Sequence, residues 1–203
     1  MEGPVLSIND LWSNADPLPW RDALERYPAV VQAQEVARLL ELDRWYRDEL
    51  PELLKARQPA YVRAEELARA TEWKMARGVW RHRNLLLVRS NDAGVVEEVS
   101  RAALAAVPDP LAPIRLLATL AGVGPATASA IAAAYAPQVY PFFDDLVAGQ
   151  VPALGKVEFT LRYYARYAEA LRDRAVQLGG DWTPSSVERA LWSNAGGKAG
   201  VRR

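Results

Sequence analysis

Residues 120–131 read LAGVGPATASAI, and residues 141–145 read PFFDD. The fold turns on the first stretch. Gly122 and Gly124 punctuate it, and Pro125 follows at a position where a helix begins and a missing N–H is not needed. The stretch PIRLLATL (113–120) before it has helical spacing, so the spacing predicts two helices joined by a Gly-Val-Gly hairpin over about 111–135. Ala126, Ala128, Ser129, Ala132 and Ala133 are small enough to let the second helix approach its neighbours closely. The turn and the first helical residues (Gly122, Val123, Gly124, Ala126 and Thr127) offer backbone N–H groups, and such groups at a helix N-terminus attract anions. A DNA phosphate is a suitable anion, and a contact of this kind positions a duplex without reading its sequence. The plainer alternative is a tight turn between packed helices.

Helical periodicity runs through most of the remaining chain. Residues 30–50 carry Val30, Ala33, Val36, Ala37, Leu40, Trp45 and Leu50 near one stripe, which predicts one helix ended or kinked by Pro51. Asn91 and Asp92 read as a cap for residues 94–107. Residues 157–178 predict a long amphipathic helix stopped by Gly179-Gly180, with Tyr163, Tyr164 and Tyr167 as packing residues. Thr183-Pro184 opens a last helix. No convincing strand and no internal repeat appears. The expected architecture is all-α, with nine to eleven helices in one domain over 1–203 and a mobile tail over 195–203.

The bulk composition narrows function by exclusion. The 203 residues contain 25 acidic and 25 basic side chains, so no global field points to nucleic acid or membrane, and any nucleic-acid surface is local. Without cysteine, disulfides, thiolate catalysis and cysteine-held metals or clusters are excluded, and one histidine rules out a multi-histidine site. No metal or cofactor is expected. No basic segment followed by an apolar run marks the N-terminus as a secretory signal, and no apolar run reaches the roughly 18 residues of a membrane span. A cytoplasmic protein with no membrane partner is expected.

The one concentration of cations is EWKMARGVWRHRN (72–84). On a continuous helix Lys74, Arg77 and Arg81 would fall within about 60° of one another, with Trp73 and Trp80 beside them. Such a strip suits a nucleic-acid backbone and exposed bases. Equally, the tryptophans could be core and the cations a solvated face. His82 reads as a surface or capping residue.

LAGVGPATASAIAAAY followed by PFFDD resembles the helix-hairpin-helix and Gly/Pro-Asp segment of the base-excision DNA glycosylase superfamily (HhH-GPD). With LELDRWYRDELP (40–51) and EWKMARG (72–78), the wider chain is most similar to glycosylase-like members that carry no established activity. The resemblance implies a two-lobed helical fold, double-stranded DNA as partner, and an aspartate at the mouth of the cleft between the lobes. The usual spacing from Gly122 lands on Asp144, with Asp145 as the alternative one residue away. That carboxylate would stabilise oxocarbenium character on the sugar, and Tyr140, Phe142, Phe143 and Trp80 are candidate walls for a flipped base. Strand-cutting members use a lysine two residues after the second hairpin glycine, where this chain has Ala126. The implied activity is therefore hydrolysis of the base alone, without lyase chemistry. The alternative is a DNA-binding module without catalysis.

Overall fold

The structure is a computed structural model that describes residues 10–197; the cations Lys198, Arg202 and Arg203 lie outside them. Among the described residues there are twelve α-helices and no strand. They are α1 (Pro17–Glu25), α2 (Tyr27–Ala33), α3 (Leu39–Arg44), α4 (Leu50–Lys55), α5 (Ala64–Arg77), α6 (His82–Arg89), α7 (Ala93–Ala105), α8 (Ala112–Leu117), α9 (Pro125–Tyr135), α10 (Asp145–Ala148), α11 (Leu161–Leu178) and α12 (Pro184–Asn194). The all-α expectation holds.

By contact the helices fall into two sets. In the first, α12 packs on α1, α2, α10 and α11; in the second, α9 packs on α4, α5 and α8. Helix α5 also meets α3, α6 and α7. The buried apolar side chains nevertheless form one contiguous core. Helix α9 is buried almost all round because its side chains are mostly Ala, Ser and Thr, which allow neighbouring backbones to approach closely. Tyr46 reaches across to donate from its hydroxyl to the Ala130 carbonyl at 2.7 Å.

The chain departs from the expected boundaries in three places. The single helix expected over 30–50 is broken at 34–38, where Glu35 and Arg38 adopt positive φ (53° and 64°). Beyond Arg44 the backbone runs on through a π-type turn (Trp45–Glu49) directly into α4. Pro51 sits in the first turn of α4, where a missing N–H is tolerated, so it does not end the helix. Helix α11 begins at Leu161, capped by the Thr160 hydroxyl, which leaves 157–159 outside it. Residues 195–197 of the expected mobile tail are tied down. The Gly196 carbonyl accepts from Gln34 Nε2 at 2.8 Å, and Gly197 N donates to the Trp192 carbonyl at 3.0 Å.

The caps agree with the sequence. Asp92 accepts from Val95 N, and Thr183 exchanges hydrogen bonds with Ser186 at the start of α12. No helix of the described residues is long and apolar enough to cross a membrane.

Candidate functional site

The turn between α8 and α9 opens onto a cleft of about 190 Å³. Its two glycines do different work. Gly122 has φ of 73°, and a Cβ there would lie 2.8 Å from the Asn84 carbonyl oxygen and 2.9 Å from Val88 N. It is therefore glycine because α6 presses against it and because the left-handed backbone favours glycine. Gly124 has no positive φ, and a Cβ there would meet open space. Asn91 holds the turn in place, accepting from Ala121 N at 2.9 Å and donating to the Ala121 carbonyl at 3.0 Å.

The amides follow the same division. Val123 is buried and its N–H donates to the Leu120 carbonyl at 3.1 Å, so it offers nothing outward and the expectation that it contacts DNA is corrected. Gly122, packed against α6, is likewise a structural residue. Gly124, Pro125, Ala126 and Thr127 line the cleft, and no side chain caps α9 there. The first N–H groups of this eleven-residue helix thus have no side-chain acceptor. The Thr127 hydroxyl, buried, also lacks a hydrogen-bond partner.

Lining the cleft as well are residues 142–145 of the 141–145 loop. Its backbone is pinned at three successive residues: Tyr164 Oη donates to the Pro141 carbonyl (3.3 Å), Tyr167 Oη to the Phe142 carbonyl (2.7 Å), and Phe143 N to Ser129 Oγ (2.9 Å). The tyrosines expected only to pack therefore also hold the loop that presents Asp144. Asp144 caps the short α10, its Oδ1 accepting from Leu146 N (2.8 Å) and Val147 N (3.4 Å). Its Oδ2 lies 3.7 Å from Arg77 Nε. Only 7% exposed, it still lines the cleft, as does Asp145. Burial pushes the Asp144 pKa up to about 6, and the Arg77 charge pulls against that rise.

The cationic strip does not form as a strip. Helix α5 stops at Arg77 and the chain turns at Gly78. Arg77 points inward, 1% exposed and hydrogen-bonded to the fully buried Glu188 of α12. As a DNA-contacting residue it is corrected: no phosphate can reach a guanidinium enclosed by Tyr27, Trp73, Phe142 and Trp192. Burial alone would lower its pKa, but Glu188 reverses this and raises it, so it stays charged. Trp73 is core, stacked on Tyr46 at 3.5 Å with its N–H donated to Asp43. Lys74 and Arg81 do reach the cleft. Lys74 is partly buried, and burial, with the nearby Arg81 charge, lowers its pKa to about 8.

Of the candidate base walls, Phe142 and Phe143 line the cleft. Tyr140 does not. It is buried with its hydroxyl committed to the Asp109 carbonyl at 2.6 Å, which corrects that expectation. Trp80 is 42% exposed but is not part of the lining. Phe159, half exposed and 5.3 Å from the Phe143 ring, lines the mouth and was missed because its segment reads as helix in the sequence. His82 is exposed at the start of α6, outside the cleft lining.

Chemically, the site combines helix-terminal amides, two cations, two carboxylates and an aromatic lining. Its volume lies below the roughly 300–1,000 Å³ of pockets for drug-sized ligands, which suits one ring or one sugar rather than a dinucleotide. Among the described residues, no three His, Asp or Glu side chains converge to hold a metal. No family model, curated protein or solved structure matches the chain.

Proposed function

We propose that the protein binds double-stranded DNA through the α8–α9 hairpin and hydrolyses the N-glycosidic bond of a damaged or mismatched base, as a helix-hairpin-helix glycosylase. One observation carries this reading. The start of α9, without a side-chain cap, and a desolvated aspartate line a single cleft. A phosphate held by the N–H groups of Gly124, Ala126 and Thr127 (Pro125 has none) would set the adjoining sugar toward Asp144, and the extruded base would rest on Phe142, Phe143 and Phe159.

In the reaction the bond from C1′ to the base nitrogen breaks, and its electron pair leaves with the base, which takes up a proton. Positive charge then grows on the sugar, where the Asp144 carboxylate opposes it in a low-dielectric site. Water adds to C1′ and gives its proton to Asp144, whose pKa near 6 suits a base at neutral pH. Capping does not disqualify this role, because Oδ2 makes no hydrogen bond to the α10 amides.

A second reading is a DNA-binding module without chemistry. It is favoured by the commitment of Asp144 to both α10 and Arg77. Oligonucleotides carrying uracil, alkylated, oxidised or abasic sites separate the two when assayed by gel shift and alkaline cleavage. Base release that is lost in Asp144→Asn while DNA affinity persists supports the enzyme. Binding without release from any lesion leaves the module, and no affinity even at low salt overturns both.

A further inference from the structure

The geometry points to a second site: a cavity at the other end of α9 from the cleft binds a small apolar monocarboxylate, and Arg189 and Ser185 of α12 take its carboxylate. This site stands apart from the function proposed above.

The cavity measures about 290 Å³ and lies against Ala133 and Ala134, in the last turn of α9. Ser185 and Arg189 line it from α12, four residues apart and so on one face of that helix. Both side chains are unanswered. Ser185 is only 5% exposed, yet among the described residues its hydroxyl makes no hydrogen bond. Arg189 Nε is buried without a hydrogen-bond partner, and among the described residues no carboxylate pairs with the guanidinium. The adjoining Glu188 meets Arg77 and Arg47 instead. Arginines this enclosed normally have a carboxylate, because desolvation of the charge is costly without one. Burial, and next the Arg47 charge, lower the Arg189 pKa against the weaker pull of Glu188, Tyr27 and Asp43.

Charge selects among anions. The other ionisable carboxylates and cations of the lining are Arg47, Asp48, Glu52 and Lys55. Arg47 lies beside Asp43 and Glu188, and Lys55 meets Glu52 at 3.2 Å, so these cations are already matched. Arg189 is left as the unmatched cation, with the exposed Asp48 as an unmatched carboxylate. A dianionic phosphate would need a second free cation and would be repelled by Asp48. A monocarboxylate needs one cation. Its two oxygens fit the planar guanidinium fork, and the Ser185 hydroxyl can donate a further bond. The remaining walls are Pro51, Ala133, Ala134 and Pro137, with Tyr46, whose hydroxyl already donates to the Ala130 carbonyl. Such walls suit a ligand body without polar groups, and a volume at the lower edge of the roughly 300–1,000 Å³ range limits that body to about one substituted ring.

The test is fluorine NMR of para-fluorobenzoate titrated with the full-length protein, with Kd taken from the line width. The expected result is saturable binding with a Kd of about 5 mM or tighter, weakened at least about tenfold in Arg189→Gln and at least about threefold in Ser185→Ala. Para-fluorobenzamide, of similar shape without the charge, and para-fluorophenyl phosphate, with a second charge, should each bind at least about tenfold more weakly than the acid. Isocaproate should displace the probe, because the site takes an acid with an apolar body and no ring is required. Folding of both variants is checked by circular dichroism. Ser185→Ala removes a hydroxyl that nothing in the fold uses, so it decides the matter alone should Arg189→Gln fail to fold. Absence of saturation overturns the proposal. A smaller change than expected in either folded variant overturns it too, because the probe then sits elsewhere, as does an amide or phosphate ester that binds as tightly as the acid. No DNA enters the measurement, so failure of the glycosylase reading leaves the outcome untouched.

Discussion

Replacing Asp144 by Asn separates its electrostatics from its geometry. Asn caps helices about as well as Asp, so the hydrogen bonds from Leu146 N and Val147 N survive. What disappears is a buried charge. The native pKa is raised from 3.8 to about 6, so the folded protein prefers the neutral acid more than the unfolded chain does. That preference stabilises the fold fully below pH ~4 and is lost as the pH rises through about 6. The displacement corresponds to about 3 kcal/mol at most. The substituted amide carries no charge at any pH and removes this slope. The attraction to Arg77 is already contained in that displacement, so a gain of up to about 3 kcal/mol at pH 7 is expected.

The measurement is urea unfolding followed by tryptophan fluorescence at several values between pH 4 and pH 7.5, for the parent and Asp144→Asn. The stability difference should be near zero at pH ~4 and grow in favour of Asn as pH rises, reaching up to about 10 °C in melting temperature at neutrality. Base release, by contrast, should vanish in the variant and fall in the parent below pH 6. A difference that stays flat across this range would refute the argument that Asp144 is desolvated. So would an Asn variant less stable at pH 7.

Other outcomes follow from the same geometry. Arg77→Met leaves Glu188 buried with only Arg47 at 3.7 Å, and should lower stability by about 3–5 kcal/mol, with much of that recovered in Arg77→Met/Glu188→Leu, as read by chemical denaturation. Gly122→Ala should destabilise by about 2–4 kcal/mol through positive φ and collision with α6, whereas Gly124→Glu should leave the melting temperature unchanged and weaken DNA binding in a gel shift. Phe159→Ala, at an exposed position, should fold normally yet weaken binding to a duplex with an extrahelical base by about 1–3 kcal/mol.

Much of the helical architecture was legible because its signals are local. Asp92, Thr183 and Pro125 mark helix starts by their own chemistry, and the apolar stripe of α11 is periodic without interruption. Residues 30–50 were misjudged because periodicity survives a break that positive φ at Glu35 and Arg38 introduces, and such φ leaves no compositional mark. At the site, Gly124 and Thr127 could be placed from the turn itself, and Asp144, with Asp145 as its alternative, from the spacing that the resemblance implies. Arg77 could not. Its inward direction depends on Glu188, 111 residues away, and a helix wheel cannot tell a buried cation with a distant partner from a solvated one. Phe159 was hidden by continuing α11 back to 157, when Thr160 is where the capping oxygen sits.

That inward guanidinium also organises the cleft. Arg77 is close enough to Asp144 to restrain its pKa, yet at 3.7 Å it does not hydrogen-bond the carboxylate. Lys74, in the lining of the same cleft, is lowered by its burial and by the Arg81 charge. Burial brings both the acid and the amine toward neutrality, and Arg77 opposes that drift at Asp144. Arg77→Met/Glu188→Leu, the variant expected to retain its fold, removes the larger charge that lowers the Asp144 pKa together with the smaller one that raises it, so the pH below which base release declines should move up from about 6 by the difference between them. A pH profile unchanged from the parent in that variant would mean that the Arg77–Glu188 pair holds the helices together and has no net part in tuning the cleft.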